Sequence, residues 1–396
     1  MRILFVAMAD SVHVARWLSA LEATGWDLHL WSSLPDGRTH PDLRHVTVHH
    51  DFYNPLASAA THSTCRIKGV PVPWWHLRDL AQSLSSRLRP ESRARRLAAL
   101  IRKLRPDVIH AMEFQSGAYT VRQAMRFCDS FPPWIATNWG SDISLFGRLP
   151  SHRDRVADVL AHCDFYSCEC NRDVTLAHAM GLSGNVLPVF PNSGGFDLEP
   201  LAGLRNDTPP SRRNTVLVKG YQNWAGRALN AIQALRRCSD LLHGHRVRIY
   251  SACDAVAIAA ELFELETGVP TQVIRRKLPH ADMLALHAEA RVSIGLSIGD
   301  GISTSFLEAM AAGAFPVQSD TSCASEWARH ETSCLLVPPE DIDAITTALR
   351  RALSDDTLVD TASLINWETV KQRLDRRMIC GQILQFYQTV HQGKRA

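Results

Sequence analysis

Short apolar runs alternate with segments of helical period along almost the whole chain. Residues 3–9 read as a buried first strand, and 12–24 follow with Val14, Trp17, Leu18 and Leu21 on one helical face. Gly25 predicts the helix stop and 26–31 a second strand. Further strands are predicted over 45–49, 107–112, 134–138, 165–170 and 185–190, with most intervals long enough for crossover helices. The pattern breaks over 191–213, where Pro, Gly, Asn, Ser and Asp accumulate as in a linker. It restarts with strands over 215–219, 247–251, 271–275, 292–298, 315–318 and 334–337, and Ile379, Ile383, Leu384 and Phe386 form a last helical stripe. Such alternation predicts parallel sheets covered on both faces, hence two doubly wound α/β domains. The expected division is a first domain over 1–195, a hinge over 196–213, a second domain over 214–370 and a C-terminal helix over 371–396 packing back on the first.

Composition narrows the class. A chain of 396 residues suits two domains, and 45% hydrophobic with 21% charged residues is that of a soluble globular protein. Lys and Arg number 43 against 40 Asp and Glu, so charge gives no argument for nucleic acid. None of the ten cysteines forms a CxxC pair, which removes the usual zinc and thioredoxin spacings. The N-terminal apolar run stops at Asp10 with no small-residue cleavage site after it, and no stretch approaches 18 apolar residues. The expectation is a cytoplasmic protein, at most peripheral at a membrane. One stretch, 87–105, holds Arg87, Arg89, Arg93, Arg95, Arg96, Arg102, Lys103 and Arg105 against Glu91 alone. It reads either as a solvated helix packing its Leu/Ile stripe on the sheet or as a foot on an anionic membrane surface.

The loop after the first strand, residues 8–13, contains no glycine, which argues against a dinucleotide there, and no Walker A sequence occurs elsewhere. The most informative window is 291–313, a buried strand, a Gly299-Asp300-Gly301 turn, and a helix from about Ser303. Ligands of parallel sheets gather at the carboxyl ends of strands, and a helix N-terminus there suits phosphate. Ser303, Thr304 and Ser305 add hydroxyls, Asp300 lies in the turn, and Glu308 sits where it can reach a sugar hydroxyl pair. Glu308 also fits a capping box with Ser305, and Asp300 a plain turn. Gly295-Leu296-Ser297-Ile298-Gly299 matches a nucleophile elbow, but the turn that follows separates Ser297 from the helix that an elbow requires.

These residues resemble a known family. Asp300 and Glu308, followed by Ala309-Met310-Ala311, Gly313, Pro316-Val317, Glu326 and Leu335-Leu336-Val337-Pro338-Pro339, are similar to the C-terminal signature of glycosyltransferase family 4, retaining enzymes of the GT-B fold. Asp300 replaces the usual first Glu. Asp10, Ser11, His13, Arg16 and Trp17 resemble the opening of some members, Arg105–His110 a widespread family strand, and 192–197 the interdomain hinge. Trp139-Gly140-Ser141-Asp142 stands where many members carry His-Gly-x-Asp, with Trp in place of the cleft His. The resemblance implies transfer of a hexose-type sugar from a nucleotide-diphosphate donor, UDP or GDP favoured, to an acceptor hydroxyl with retention. It implies a role in cell-surface polysaccharide, glycolipid or glycoconjugate assembly. Asp300 would orient the donor sugar. Lys219 and Arg227, in the reverse of the family order, would hold the diphosphate with Gly301, Ile302, Ser303, Thr304 and Ser305, and Glu308 the ribose. Asp10, Ser11, His13, Trp139 and Asp142 would serve a sugar, lipid-linked or small-molecule acceptor. No metal or other cofactor is required on this reading, and Asp341-Ile342-Asp343 reads as a helix cap. A nucleotide-sugar 2-epimerase and a non-catalytic nucleotide-sugar-binding subunit share the fold and remain alternatives.

Overall fold

The computed structural model describes residues 1–55, 61–72, 91–205, 208–276 and 278–393. They form two compact units, Met1–Gly194 with Ile379–Ala396, and Gly195–Met378.

In the first unit the strands are β1 (Arg2–Ala7), β2 (Asp27–Ser32), β3 (Val46–Tyr53), β4 (Arg66–Pro71), β5 (Val108–Met112), β6 (Trp134–Thr137), β7 (Phe165–Ser167) and β8 (Asn185–Val186). They pair in parallel in the order β4-β3-β2-β1-β5-β6-β7-β8. β1 is buried on both faces. Ile3 and Phe5 pack with Trp17, Leu30 and Phe386, while Leu4 and Val6 pack with Leu97, Ile109 and Val156. That two-sided burial explains why the strand reads as a continuous apolar run. The predicted helix over 12–24 divides into Val12–Ser19 and a 3-10 turn, Glu22–Thr24, that ends at Gly25 with φ 66°. Ser19 and Thr24 each bond back to a carbonyl three residues earlier at 2.7 Å, a local competition that shortens helices. β4 went unpredicted because Arg66, Lys68, Gly69 and Pro71 mask it; charges, glycine and proline mark an exposed edge strand.

The stretch over 87–105 resolves into the helix Ser92–Leu104, with Arg87 and Arg89 outside the described residues. Arg93 pairs with Asp51 at 2.6 Å and lies over the Trp31 ring, Arg96 meets the same carboxylate at 3.0 Å, and Arg102 donates to the Phe127 carbonyl at 2.7 Å. Ala94, Leu97, Ala98 and Ile101 are buried. These contacts favour the packed-helix reading over a membrane foot. Among the described residues no helix is long and apolar enough to cross a membrane.

The helix Arg376–Gly393 sends Ile379, Ile383, Phe386, Tyr387 and Val390 into the core beside β1. Tyr387 Oη accepts from the Trp17 indole at 2.7 Å and lies 2.7 Å from His110 Nδ1, whose Nε2 is 2.6 Å from Thr137 Oγ1. Burial drives the His110 pKa down to about 3, so the ring is neutral. With Trp17 donating, the phenol O–H donates to Nδ1 and the imidazole donates through Nε2 to Thr137, so every member is satisfied.

The second unit holds β9 (Thr215–Lys219), β10 (Arg246–Tyr250), β11 (Thr271–Ile274), β12 (Ala290–Gly295), β13 (Phe315–Ser319) and β14 (Leu335–Val337), parallel in the order β11-β10-β9-β12-β13-β14. Val216 and Val218 face a core with Ile232, Val247, Val292 and Ile345, while Leu217 faces Tyr250, Leu286 and Ala309. The segment 196–213, expected as a hinge, lies within this unit as the helix Leu198–Arg205 and a 3-10 turn, Pro210–Arg212. Phe196 is tied by its amide to the Leu374 carbonyl at 2.7 Å, and Arg213 donates to the carbonyls of Ala290 and Ala312 at 3.3 Å. Its Pro- and Gly-rich composition encodes turns around a packed helix.

Tyr387→Phe keeps the ring and leaves the Trp17 indole and His110 Nδ1 unpaired. The expected loss is about 2–4 kcal/mol, read as a lower urea midpoint at constant slope. A loss under about 0.5 kcal/mol would show that the network does not hold the C-terminal helix.

Candidate functional site

The second unit's site begins where β9 and β12 lie side by side. The helix after β9, Ala228–Arg236, packs with Val216 and Val218, and the helix after β12, Thr304–Ala312, packs Ala309 on the Leu217 side. Neighbouring strands whose helices depart to opposite faces define a topological switch point, where open parallel sheets bind ligands. The two loops are knitted together. Arg227 donates its amide to the Leu296 carbonyl at 3.1 Å, Ile298 to Ala225 at 3.0 Å, and Gly226 and Ser297 form an antiparallel bridge. On the other side the Cys323 amide donates to the Gly301 carbonyl at 2.8 Å and Thr321 Oγ1 to that of Ser297.

This frame brings together several predicted residues. Lys219, at the end of β9, donates to Ser303 Oγ at 3.4 Å, and it has no carboxylate partner among the described residues. Ser303 is the N-cap residue of Thr304–Ala312, makes no side-chain cap bond, and lies 2.9 Å from Ser305 Oγ. Thr304 opens the helix, whose first N–H groups point toward the same place. Gly301 and Ile302 complete the loop, but the Ile302 side chain belongs to an apolar cluster with Phe196 and Phe306, leaving only its backbone for a ligand. Asp300 is half-buried and accepts the Gly301 amide at 2.9 Å. Arg227 is directed elsewhere: its guanidinium pairs with Glu340 at 3.0 Å and donates to the Gly226 carbonyl at 3.0 Å.

Glu308 is buried, and its contacts settle a question left open by the sequence. Ser305 lies inside the helix, and the Glu308 carboxylate meets His280 Nε2 at 3.0 Å and His287 Nε2 at 3.8 Å. No Ser305–Glu308 capping box forms. His280, His287 and Tyr250 escaped the sequence reading. The available signal was two histidines seven residues apart on one helix, His280–Glu289, which places them on one face. Ser297 Oγ donates to the Gly299 carbonyl at 3.0 Å, a turn contact with no nucleophile geometry. Asp341 caps Ile342–Ser354 by accepting the Ala344 amide at 3.0 Å, and Asp343 pairs with Arg237.

In the first unit, Ser11 caps the helix after β1, accepting the His13 amide at 3.2 Å. The His13 ring stands edge-on to Trp139 with centroids 5.6 Å apart. Trp139 donates its amide to Asp142 Oδ2 at 2.7 Å. Asp10 is half-buried on the β1 loop, near enough to His50 to favour its protonated form. A second carboxylate that the sequence reading missed, Glu113, ends β5 at φ 78° and accepts the amides of Ser116 and Gly117 at 2.9 and 2.5 Å. Burial, then repulsion from Glu113, pushes Asp142 up to about 8; burial likewise raises Glu113.

Sequence comparison matches residues 222–355 to the family described as glycosyl transferases group 1, and residues 79–163 to glycosyl transferase 4-like. No curated protein matches the chain significantly in sequence. Among solved structures the chain is similar to a sucrose-phosphate synthase from Thermosynechococcus elongatus, with TM-score 0.72, 17% identity, and 99% of this chain and 100% of that chain covered. HepE of Anabaena in complex with UDP-glucose gives TM-score 0.66 at 14% identity over 98% and 100%, and a glycosyltransferase from Rickettsia africae gives 0.65 at 14% over 98% of each. At such identities the likeness is one of fold. With the two family matches it makes the chain a glycosyltransferase built on the GT-B fold of two doubly wound α/β domains.

Proposed function

We propose that the chain is a retaining transferase of the family 4 type, moving a sugar from a nucleotide-diphosphate donor, UDP or GDP, to an acceptor hydroxyl in polysaccharide, glycolipid or glycoconjugate assembly. The observation that carries this reading is the convergence at the β9/β12 switch point of Lys219, the Ser303–Ser305 helix start and a buried Glu308. A cation, free amides and hydroxyls suit a diphosphate, and they act where negative charge grows as the sugar–phosphate bond breaks. Glu308 is a buried carboxylate near them that is assigned to accept hydroxyls, and ribose offers a pair. Asp300, on the same loop, is assigned to the donor sugar. Arg227 serves the diphosphate by exchanging its exposed Glu340 partner for phosphate, a favourable exchange for a guanidinium. The acceptor role falls to Asp10, Ser11, His13, Trp139 and Asp142 of the first unit. An aromatic pair with hydroxyl and carboxyl groups beside it suits a sugar.

A thermal-shift series with UDP, GDP, ADP, CMP and dTDP tests the donor assignment. One nucleoside diphosphate should raise the melting point of the wild type clearly. Lys219→Met and Glu308→Ala should each weaken its binding at least tenfold, about 1.4 kcal/mol. A shift equal in all three proteins would place the nucleotide elsewhere. No shift with any nucleotide would remove the donor assignment.

The first-unit carboxylates carry a pH signature. The folded state keeps the Asp142 proton up to about pH 8, whereas an unfolded chain loses it near the ordinary carboxylate value. This contribution to stability is therefore fully present below about pH 4 and falls as pH rises toward 8. Asp142→Asn removes the dependence, so its stability relative to wild type should rise by at least about 1 kcal/mol between pH 5 and pH 8. A difference constant with pH would show Asp142 ionised throughout.

A further inference from the structure

The first unit has a cleft of about 230 Å³ between the helices Tyr119–Met125 and Pro150–Leu160. Arg122, Arg126 and Arg155 line it, and among the described residues Asp158 is the one acid in its lining. Asp158 is already engaged: Arg122 Nη2 lies 3.1 Å and His162 Nδ1 3.2 Å from its Oδ1. Arg155, three residues earlier on the same helix, is spaced to reach that carboxylate but pairs with no acid among the described residues. Among those residues Arg126 pairs with Glu91 alone, at 3.4 Å, and Glu91 also holds Arg95 at 3.2 Å. Four guanidiniums thus share two carboxylates, and two positive charges are left over.

Arg155 is also held in place. Its guanidinium carbon stands 3.9 Å from the centre of the Tyr119 ring, and that ring is buried with its hydroxyl 3.2 Å from His152 Nδ1. Stacking fixes the plane of a guanidinium and leaves its N–H edge open to an anion. A helix C-terminus attracts cations without any ligand, and that accounts for Arg122 and Arg126 at the end of Tyr119–Met125. It does not account for Arg155, in the middle of its own helix. The volume lies below the roughly 300–1,000 Å³ of pockets that enclose drug-sized ligands, so a compact anion suits it and a nucleotide sugar does not. We propose that this cleft binds a phosphate group, with Arg155 as its principal ligand and Arg122 and Arg126 assisting from the facing helix. A phosphate monoester carries close to two negative charges at neutral pH, which matches the surplus. The group arrives on a small soluble molecule or as a monoester lipid headgroup, and the recognition chemistry is the same. The inference is independent of the roles given to Lys219 and Glu308.

Calorimetric titration with millimolar inorganic phosphate, at ionic strength fixed with chloride, tests the site. The proteins compared are the wild type, Arg155→Gln, Arg155→Lys and Arg212→Gln, the last an exposed arginine of the second unit. The set is repeated in a Lys219→Met background, because the Lys219 loop also suits phosphate. Arg155→Gln should weaken phosphate binding roughly tenfold in both backgrounds, the worth of a charge-assisted hydrogen bond. Arg155→Lys should fall between it and the wild type, and Arg212→Gln should match the wild type. Arg155 is exposed, so each variant should melt like the wild type without phosphate. Co-sedimentation with phosphatidylcholine vesicles containing phosphatidic acid, against vesicles containing equal charge as phosphatidylglycerol, separates the two sources. Arg155-dependent binding to the phosphatidic acid vesicles alone assigns the cleft to a lipid headgroup; phosphate binding with no such preference assigns it to a soluble ligand. The proposal is overturned if neither phosphate nor phosphatidic acid binds, or if Arg155→Gln and Arg212→Gln lower binding equally.

Discussion

The parallel pairing of β9 with β12 is the constraint from which the second unit's chemistry follows. Both strands are buried on two faces, so their side chains are committed to packing and only their carboxyl-terminal loops are left for polar work. At a switch point those loops would splay apart. Here the Gly226–Ser297 bridge closes them, and that bridge depends on backbone proximity: a Cβ on Gly226 would stand 2.6 Å from the Tyr221 carbonyl carbon. Lys219 and Ser303, 84 residues apart in sequence, are thereby fixed within 3.4 Å of each other. A rigid placement of this kind matters for a diphosphate, because donors that are already oriented need no reorganisation as charge develops.

The first unit repeats the arrangement with acids in place of the cation. Its order β4-β3-β2-β1-β5-β6-β7-β8 puts a switch point between β1 and β5, and Ser11 and Glu113 follow those two strands as Lys219 and the 296–303 loop follow theirs. What gathers there is a pair of buried carboxyls, Glu113 and Asp142, each accepting backbone amides, with Glu113 raising Asp142. The amides of Ser116, Gly117 and Trp139 there donate to the protein's own acids. Where the second unit offers a lysine and a helix start, the first offers carboxyls. The two like folds thus differ in which side chains fill equivalent loops.

Periodicity exposed most of this architecture. Strands buried on both faces, such as residues 3–7 and 292–295, show as unbroken apolar runs, and the crossover intervals reveal the parallel order. β4 stayed hidden because an edge strand is selected for the opposite features, cations and breakers that prevent further pairing. The 191–213 stretch misled for a related reason. Proline and glycine report turns, and a short helix between turns, held by Arg205 and Arg213 to carbonyls far along the chain, has the composition of a linker. Composition reports local conformation, whereas attachment to a core depends on partners that local sequence cannot display.

The same limit governs the site. The pattern around 300–308 located the loop, yet it supported a capping box for Glu308 as well as a ligand contact, because a carboxylate three residues after a serine serves either. The two readings differ in what lies opposite the carboxylate, and His280 and His287, 28 and 21 residues earlier, stand there on a helix whose one signal is the seven-residue spacing of its histidines. Arg227 shows the converse. Its type and position suit a phosphate, but Glu340, brought near by the loop after β14, competes for the same guanidinium. A capping box would leave Glu308 with no need of histidines, and two imidazoles facing one buried acid would be a costly ornament for a helix cap. Their presence sets Glu308 apart from an acid that merely caps a helix.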